Sequence, residues 1–159
     1  MTWYQDFAEC DYLPLANTSR LKAIGWLEDG QPFERGPVSA RDLQCLFKLA
    51  VKPWQPSLFL GGHDCSLCQS GDGPDTFRLL GRTVVIGSSN LLVPDAVQRC
   101  VYVAPTMILH YVEVHGYRPP TQFLQAARKC PAMGSSAYLL AIRAAGGDSW
   151  ACQLPVAPL

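Results

Sequence analysis

From Ser39 to Val51 the apolar positions Leu43, Leu46, Phe47, Ala50 and Val51 recur at spacings of three and four, which places them on one face of a helix. Ser39 stands where an N-cap belongs, and Asp42 occupies the reciprocal capping-box position. Pro53 and Pro56 stop the element, because the residue before a proline disfavours helical backbone. Upstream, residues 21–27 form an apolar run closed by the turn Glu28-Asp29-Gly30 and predict a strand.

Residues 76–103 read as β, with candidate strands Thr76–Leu80, Thr83–Ile86, Asn90–Val93 and Cys100–Val103. Pro105 suits the first turn of a helix over 105–115. That helix puts Ile108, Tyr111, Val112 and His115 on one face, and His110 with Met107 and Val114 on another. Gly116 closes it. Thr121–Lys129 predicts a short helix packed through Phe123, Leu124 and Ala127. A last helix over 135–145 carries Tyr138, Leu139, Ile142 and Ala145 and ends at Gly146-Gly147. The expected fold class is therefore α+β: a small antiparallel sheet with three to four helices, one domain over 1–159, and a loosely attached tail over 150–159. The aromatic N-terminus (Trp3, Tyr4, Phe7, Tyr12) is expected to pack back on the core.

Composition agrees with a buried core: of 159 residues, 48% are hydrophobic and 16% charged. The formal net charge is zero, which does not favour nonspecific nucleic-acid binding. Charge is uneven, since residues 1–34 hold six acids against Arg20 and Lys22. No stretch reaches the ~20 apolar residues of a membrane span. The first residues lack the basic and apolar regions of a secretory signal. A cytoplasmic location is the resulting expectation.

Candidate chemistry centres on Gly62-His63-Asp64-Cys65-Ser66-Leu67-Cys68 and His110-Tyr111-Val112-Glu113-Val114-His115. A Cys-x2-Cys turn aims two thiolates at one point, and a pair of helix-borne imidazoles completes the soft nitrogen–sulfur set that zinc prefers. The order of strands, turn and helix is similar in layout to a ββα zinc finger, with a long insert. The candidate ligands are Cys65, Cys68, His110, His115 and His63. On an ideal helix His110 and His115 point about 140° apart at about 100° per residue. They converge only if the last turn before Gly116 loosens; otherwise His63 replaces one of them. The alternative is a reduced cysteine pair with His115 as a core residue. His-x2-Glu-x-His, with Glu113 between the histidines, does not match the spacing of the zinc-protease helices. Cys65-Ser66-Leu67-Cys68 opens no helix, as a thioredoxin-like pair would.

Tyr102, Ala104, Pro105, Ile108, His110, Tyr111, Val112, His115, Tyr117, Pro119 and Pro120, preceded by Gly61, His63, Cys65 and Cys68, carry a resemblance. The chain resembles a group of small uncharacterised bacterial proteins with the patterns Gly-x-His-x-Cys-x2-Cys and Tyr-x-Ala-Pro-x2-Ile-x-His-Tyr-Ile-x2-His-x-Tyr-x-Pro-Pro, a domain of unknown function. The similarity covers roughly residues 22–130 and implies that the cysteines and histidines belong to one site. It implies no activity.

Two function classes follow. One is a small cytosolic zinc-binding protein without enzymatic activity, a protein–protein interaction module acting as adaptor, regulator or immunity-type partner for an unidentified protein. The other is a zinc-dependent hydrolase or nuclease-like zinc protein, which requires an open metal position or a clustered basic groove.

Overall fold

The computed structural model of the chain describes residues 2–13, 18–56, 62–69 and 73–147. Within them lie β1 (Leu21–Ala23), α1 (Ala40–Val51), β2 (Thr76–Leu79), β3 (Arg82–Val85), β4 (Asn90–Asp95), β5 (Cys100–Pro105), α2 (Ile108–His115), α3 (Thr121–Lys129) and α4 (Ser136–Ala144). The fold is α+β, as the sequence pattern implies, but its strands divide into two sheets. β1, β5 and β4 form one, with β5 central, and β2 and β3 form a separate antiparallel hairpin. β1 runs parallel to β5, with Leu21 opposite Val101, whereas β4 and β5 pair antiparallel.

The three-stranded sheet is covered on both faces, which is why β4 and β5 read as largely apolar runs. Leu91, Val93, Tyr102 and Ala104 point to a core shared with α1, α2 and α3. Leu92, Val101 and Val103 point the other way, to Leu21, Ala23, Trp26 and the α4 residues Tyr138 and Ile142. The N-terminal segment lies across the second face, with Tyr4 and Tyr12 packed on Trp26 at ring separations of 5.6 and 4.6 Å.

α1 begins as the capping pattern requires. The Asp42 N–H donates to Ser39 Oγ at 3.1 Å, and the Ser39 hydroxyl donates to the Asp42 carboxylate at 2.6 Å. The same carboxylate takes two bonds from Arg128 of α3, at 2.5 and 2.8 Å, and so staples α1 to α3.

Two expectations need correction. The strand expected over 21–27 ends at Ala23, because Gly25 turns to φ 68 and Trp26 returns only as an isolated bridge to Tyr4. Pro105 does not open a helix. It closes β5 opposite Asn90, and α2 starts three residues later at Ile108. A strand end tolerates proline because no further ladder bond is needed there. The expected tail over 150–159 lies outside the described residues. No helix among them is long and apolar enough to cross a membrane.

Candidate metal centre

The cysteine turn is held by one local backbone bond and one bond to a distant loop. The Cys68 N–H donates to the Cys65 carbonyl at 3.3 Å, and Ser66 Oγ accepts from the Asp29 N–H at 3.0 Å. Beyond the turn the chain returns against Cys65 so closely that a Cβ on Gly73 would lie 2.6 Å from the Cys65 Cβ and backbone nitrogen. Only glycine fits that approach.

A continuous set of hydrogen bonds links this turn to α2. The His63 N–H donates to the Gly87 carbonyl at 2.6 Å, and the Gly87 N–H donates to Thr106 Oγ1 at 3.1 Å. The buried Thr106 hydroxyl in turn donates to the Ser89 carbonyl at 3.0 Å. The segment entering α2 and the segment entering the cysteine turn thus share one anchor, the loop after β3.

At its other end α2 opens out. Gly116 sits at φ 66, and its N–H reaches the Tyr111 carbonyl, five residues back instead of the four of an α-turn. The Tyr117 N–H donates to the same carbonyl at 3.0 Å. The wider turn brings residues five apart closer to one full revolution, so His110 and His115 converge. The Arg35 Nη1 donates to the His115 carbonyl at 2.9 Å and holds the opened end.

The result is a cluster of Cys65, Cys68, His110 and His115 whose ligand atoms all lie within 4.8 Å of one another. Cys65 Sγ is 3.3 Å from His115 Nε2, and Cys68 Sγ is 3.3 Å from His110 Nε2 and 3.5 Å from His115 Nε2. The two Nε2 atoms are 3.1 Å apart. A tetrahedral zinc with bonds of about 2.3 Å to sulfur and about 2.0 Å to nitrogen requires donor separations of roughly 3.3–3.8 Å. The donor set could hold a metal ion: the four separations above lie near that range, and all the ligand atoms fall within 4.8 Å of one another. Cys65 and His110 are buried, and Cys68 and His115 are half-buried.

Burial decides the charge state before a metal arrives. It pushes the Cys65 thiol up to about 11 and holds both imidazoles below their ordinary value, with His115 adding to the effect at His110 and Arg35 to that at His115. Neutral imidazoles are ready to ligate, whereas a thiol gives up its proton only against a cation that replaces it.

His63 stands outside this cluster. Its Nε2 is 2.8 Å from the Tyr12 hydroxyl, and its ring packs edge-on to Trp26 at 5.5 Å. Glu113 is exposed on α2 and is not part of the cluster. The helix faces also differ from the 3.6-residue reading: residues 108–111 are all buried, so His110 lies deeper than His115. Contacts on more than one side remove the distinction on which that reading rests. Gly73, Thr106 and Arg35 are the supporting residues that spacing does not reveal. Gly73 looks like any other glycine of a polar loop, and the Arg35 bond joins residues far apart in sequence.

The family model described as Domain of unknown function (DUF7919) matches residues 2–128. No curated protein and no solved structure is significantly similar to the chain. The chain belongs to the DUF7919 family, and both halves of the cluster lie inside the matched region.

Proposed function

From that membership and that cluster, we propose that the protein is a small cytosolic module without enzymatic activity, held together by one structural zinc ion, that works by binding another protein as adaptor, regulator or immunity-type partner. The observation that carries the metal part is the convergence of two cysteine and two histidine donors, from two distant segments, on one point. Two thiolates neutralise a dication, and four protein donors fill a tetrahedral shell without leaving a position for water or substrate. Zinc bound there would join the cysteine turn to α2 and add folding energy where the chain around residues 53–75 has little apolar material. Glu113, the nearest candidate for a general base by sequence, is exposed and is not part of the cluster, which speaks against the hydrolase reading.

X-ray absorption at the zinc edge on the purified protein tests this reading. Two sulfur and two nitrogen neighbours with no oxygen are expected. An oxygen neighbour that exchanges with added anions would reverse the choice in favour of a zinc-dependent hydrolase. Absence of stoichiometric zinc, with both thiols free to titrate, would remove the metal altogether.

A further inference from the structure

The β2–β3 hairpin rests on α1 through the Phe47 and Phe77 rings, whose centroids are 6.2 Å apart. Toward the hairpin turn the two elements leave a cleft of about 170 Å³, lined by Gln44, Phe47, Lys48, Val51, Leu80 and Arg82. No donor of the metal cluster lines it.

The hairpin presents two residues here against their local preference. Phe77 and Val84 are buried, and strand alternation puts Leu79 and Arg82 on the same face as those two. Arg82 thus brings a guanidinium to the register position where an apolar side chain would seal the hairpin onto α1. Leu80 and Gly81 form the two-residue turn between the paired Leu79 and Arg82, at φ 51 and φ 76. Positive φ at both central positions calls for asparagine, aspartate or glycine. Leucine stands at the first of them, 72% exposed, at the rim of the cleft. Backbone strain of this kind collects where a side chain is presented to a ligand.

Charge around the cleft is one-sided. The lining holds Lys48 and Arg82 and no acid. Neither cation makes an ion pair, a hydrogen bond or a ring contact among the described residues. α1 and the two hairpin strands carry Arg41, Lys48, Arg78 and Arg82 against Asp42 alone, and Asp42 is held by Arg128. The two lining cations therefore face no acid of their own, in a chain whose formal net charge is zero. A carboxylate beside an aliphatic side chain supplies what both the cations and the apolar floor lack. Phe47, the one ring of the lining, is buried, so no platform is left on which a nucleic-acid base could stack.

We propose that this cleft docks an acidic segment of a partner polypeptide, with a leucine-like side chain against Val51 and Leu80 and the flanking carboxylates on Lys48 and Arg82. The inference rests on the reading of the chain as a protein-binding module and names the chemistry of its partner.

The test is a nitrogen-15 NMR titration of the full chain with the peptide acetyl-Ser-Glu-Leu-Glu-Ser-amide. Three controls go with it: the same peptide with glutamine for both glutamates, the same peptide with alanine for leucine, and a single-stranded octamer of thymidylate. The acidic peptide should shift the amides of Gln44, Lys48, Leu80 and Arg82. It should bind about tenfold more tightly than the glutamine peptide and weaken with added salt. Lys48→Ala and Arg82→Ala should each weaken it about threefold. Leu80→Asn suits the turn and removes the aliphatic side chain, so binding should fall about fivefold with the melting temperature unchanged or raised. Equal binding of the glutamine peptide would overturn the assignment in favour of an uncharged apolar surface. Equal binding of the alanine peptide would reduce the cleft to a bare patch of charge and overturn it too. Tighter binding of the thymidylate octamer would overturn it together with the protein-binding reading. Absence of shifts, or Lys48 and Arg82 variants that bind unchanged, would overturn the cleft alone and leave the metal reading to its own test by X-ray absorption.

Discussion

The Nε2 atoms of His110 and His115 lie 3.1 Å apart although the two residues are five positions apart on one short helix. Regular α-helical geometry forbids this, since it would point them about 140° apart. The relation depends on the bond from the Gly116 N–H to the Tyr111 carbonyl, which widens the last turn, and on the left-handed backbone of Gly116.

Gly116→Ala should therefore disturb the candidate metal site without any clash. A Cβ there meets nothing within 4 Å, so the cost is conformational, about 1 kcal/mol. The expected outcome is a modest fall in melting temperature and a zinc affinity reduced by about tenfold, roughly 1.4 kcal/mol of misaligned His115. A chelator competition titration measures it. Unchanged affinity would show that the widened turn does not matter to the ligands.

Cys65→Ser and Cys68→Ser should each destabilise the zinc-loaded protein by more than about 3 kcal/mol, because metal binding energy is folding energy at such a site. Cys45→Ser, on a half-buried position of α1, should cost under about 1 kcal/mol. Thermal melts decide it, and equal losses at Cys45 and Cys65 would mean that the cysteines matter only as core residues.

Separate alanine substitutions at the three histidines should divide them. His110→Ala and His115→Ala are expected to weaken zinc binding by about a hundredfold or more. His63→Ala should leave the stoichiometry intact and instead loosen the N-terminal segment, since it deletes the contacts with Tyr12 and Trp26. Zinc titrations combined with hydrogen exchange at residues 2–13 separate the two outcomes.

The pH dependence of the metal-free protein follows from the displaced titrations. Burial holds His110 and His115 below the ordinary imidazole value when folded, so the unfolded chain binds more protons in that range and stability falls as the solution is acidified through it. The Cys65 thiol is raised from 9.0 to about 11, so the folded chain holds its proton longer and stability falls again as pH rises through that window. Denaturant titrations of metal-free protein should give a stability maximum between these limits. Zinc affinity should drop with falling pH, because binding displaces the thiol protons.

The sequence by itself determined the elements and the donor types. The Ser39 cap with its apolar stripe made α1 legible, the apolar runs made the strands legible, and soft donors at Cys-x2-Cys spacing named the chemistry, because each signal is local to a few consecutive residues. Tertiary structure alone decided which imidazoles face the thiols. His63 lies nearest the cysteines in the chain, yet its ring is drawn to Tyr12 and Trp26, residues that only the docking of the N-terminal segment brings there. His115 reaches the cluster because Gly116 widens a turn and Arg35 holds its carbonyl, and the bonds through Thr106 and Ser89 tie the start of α2 to the strand loop that also anchors the cysteine turn. The parallel pairing of β1 with β5 was equally illegible. A hydrogen bond between distant segments leaves no periodicity in either one, so it becomes visible only when the chain has folded.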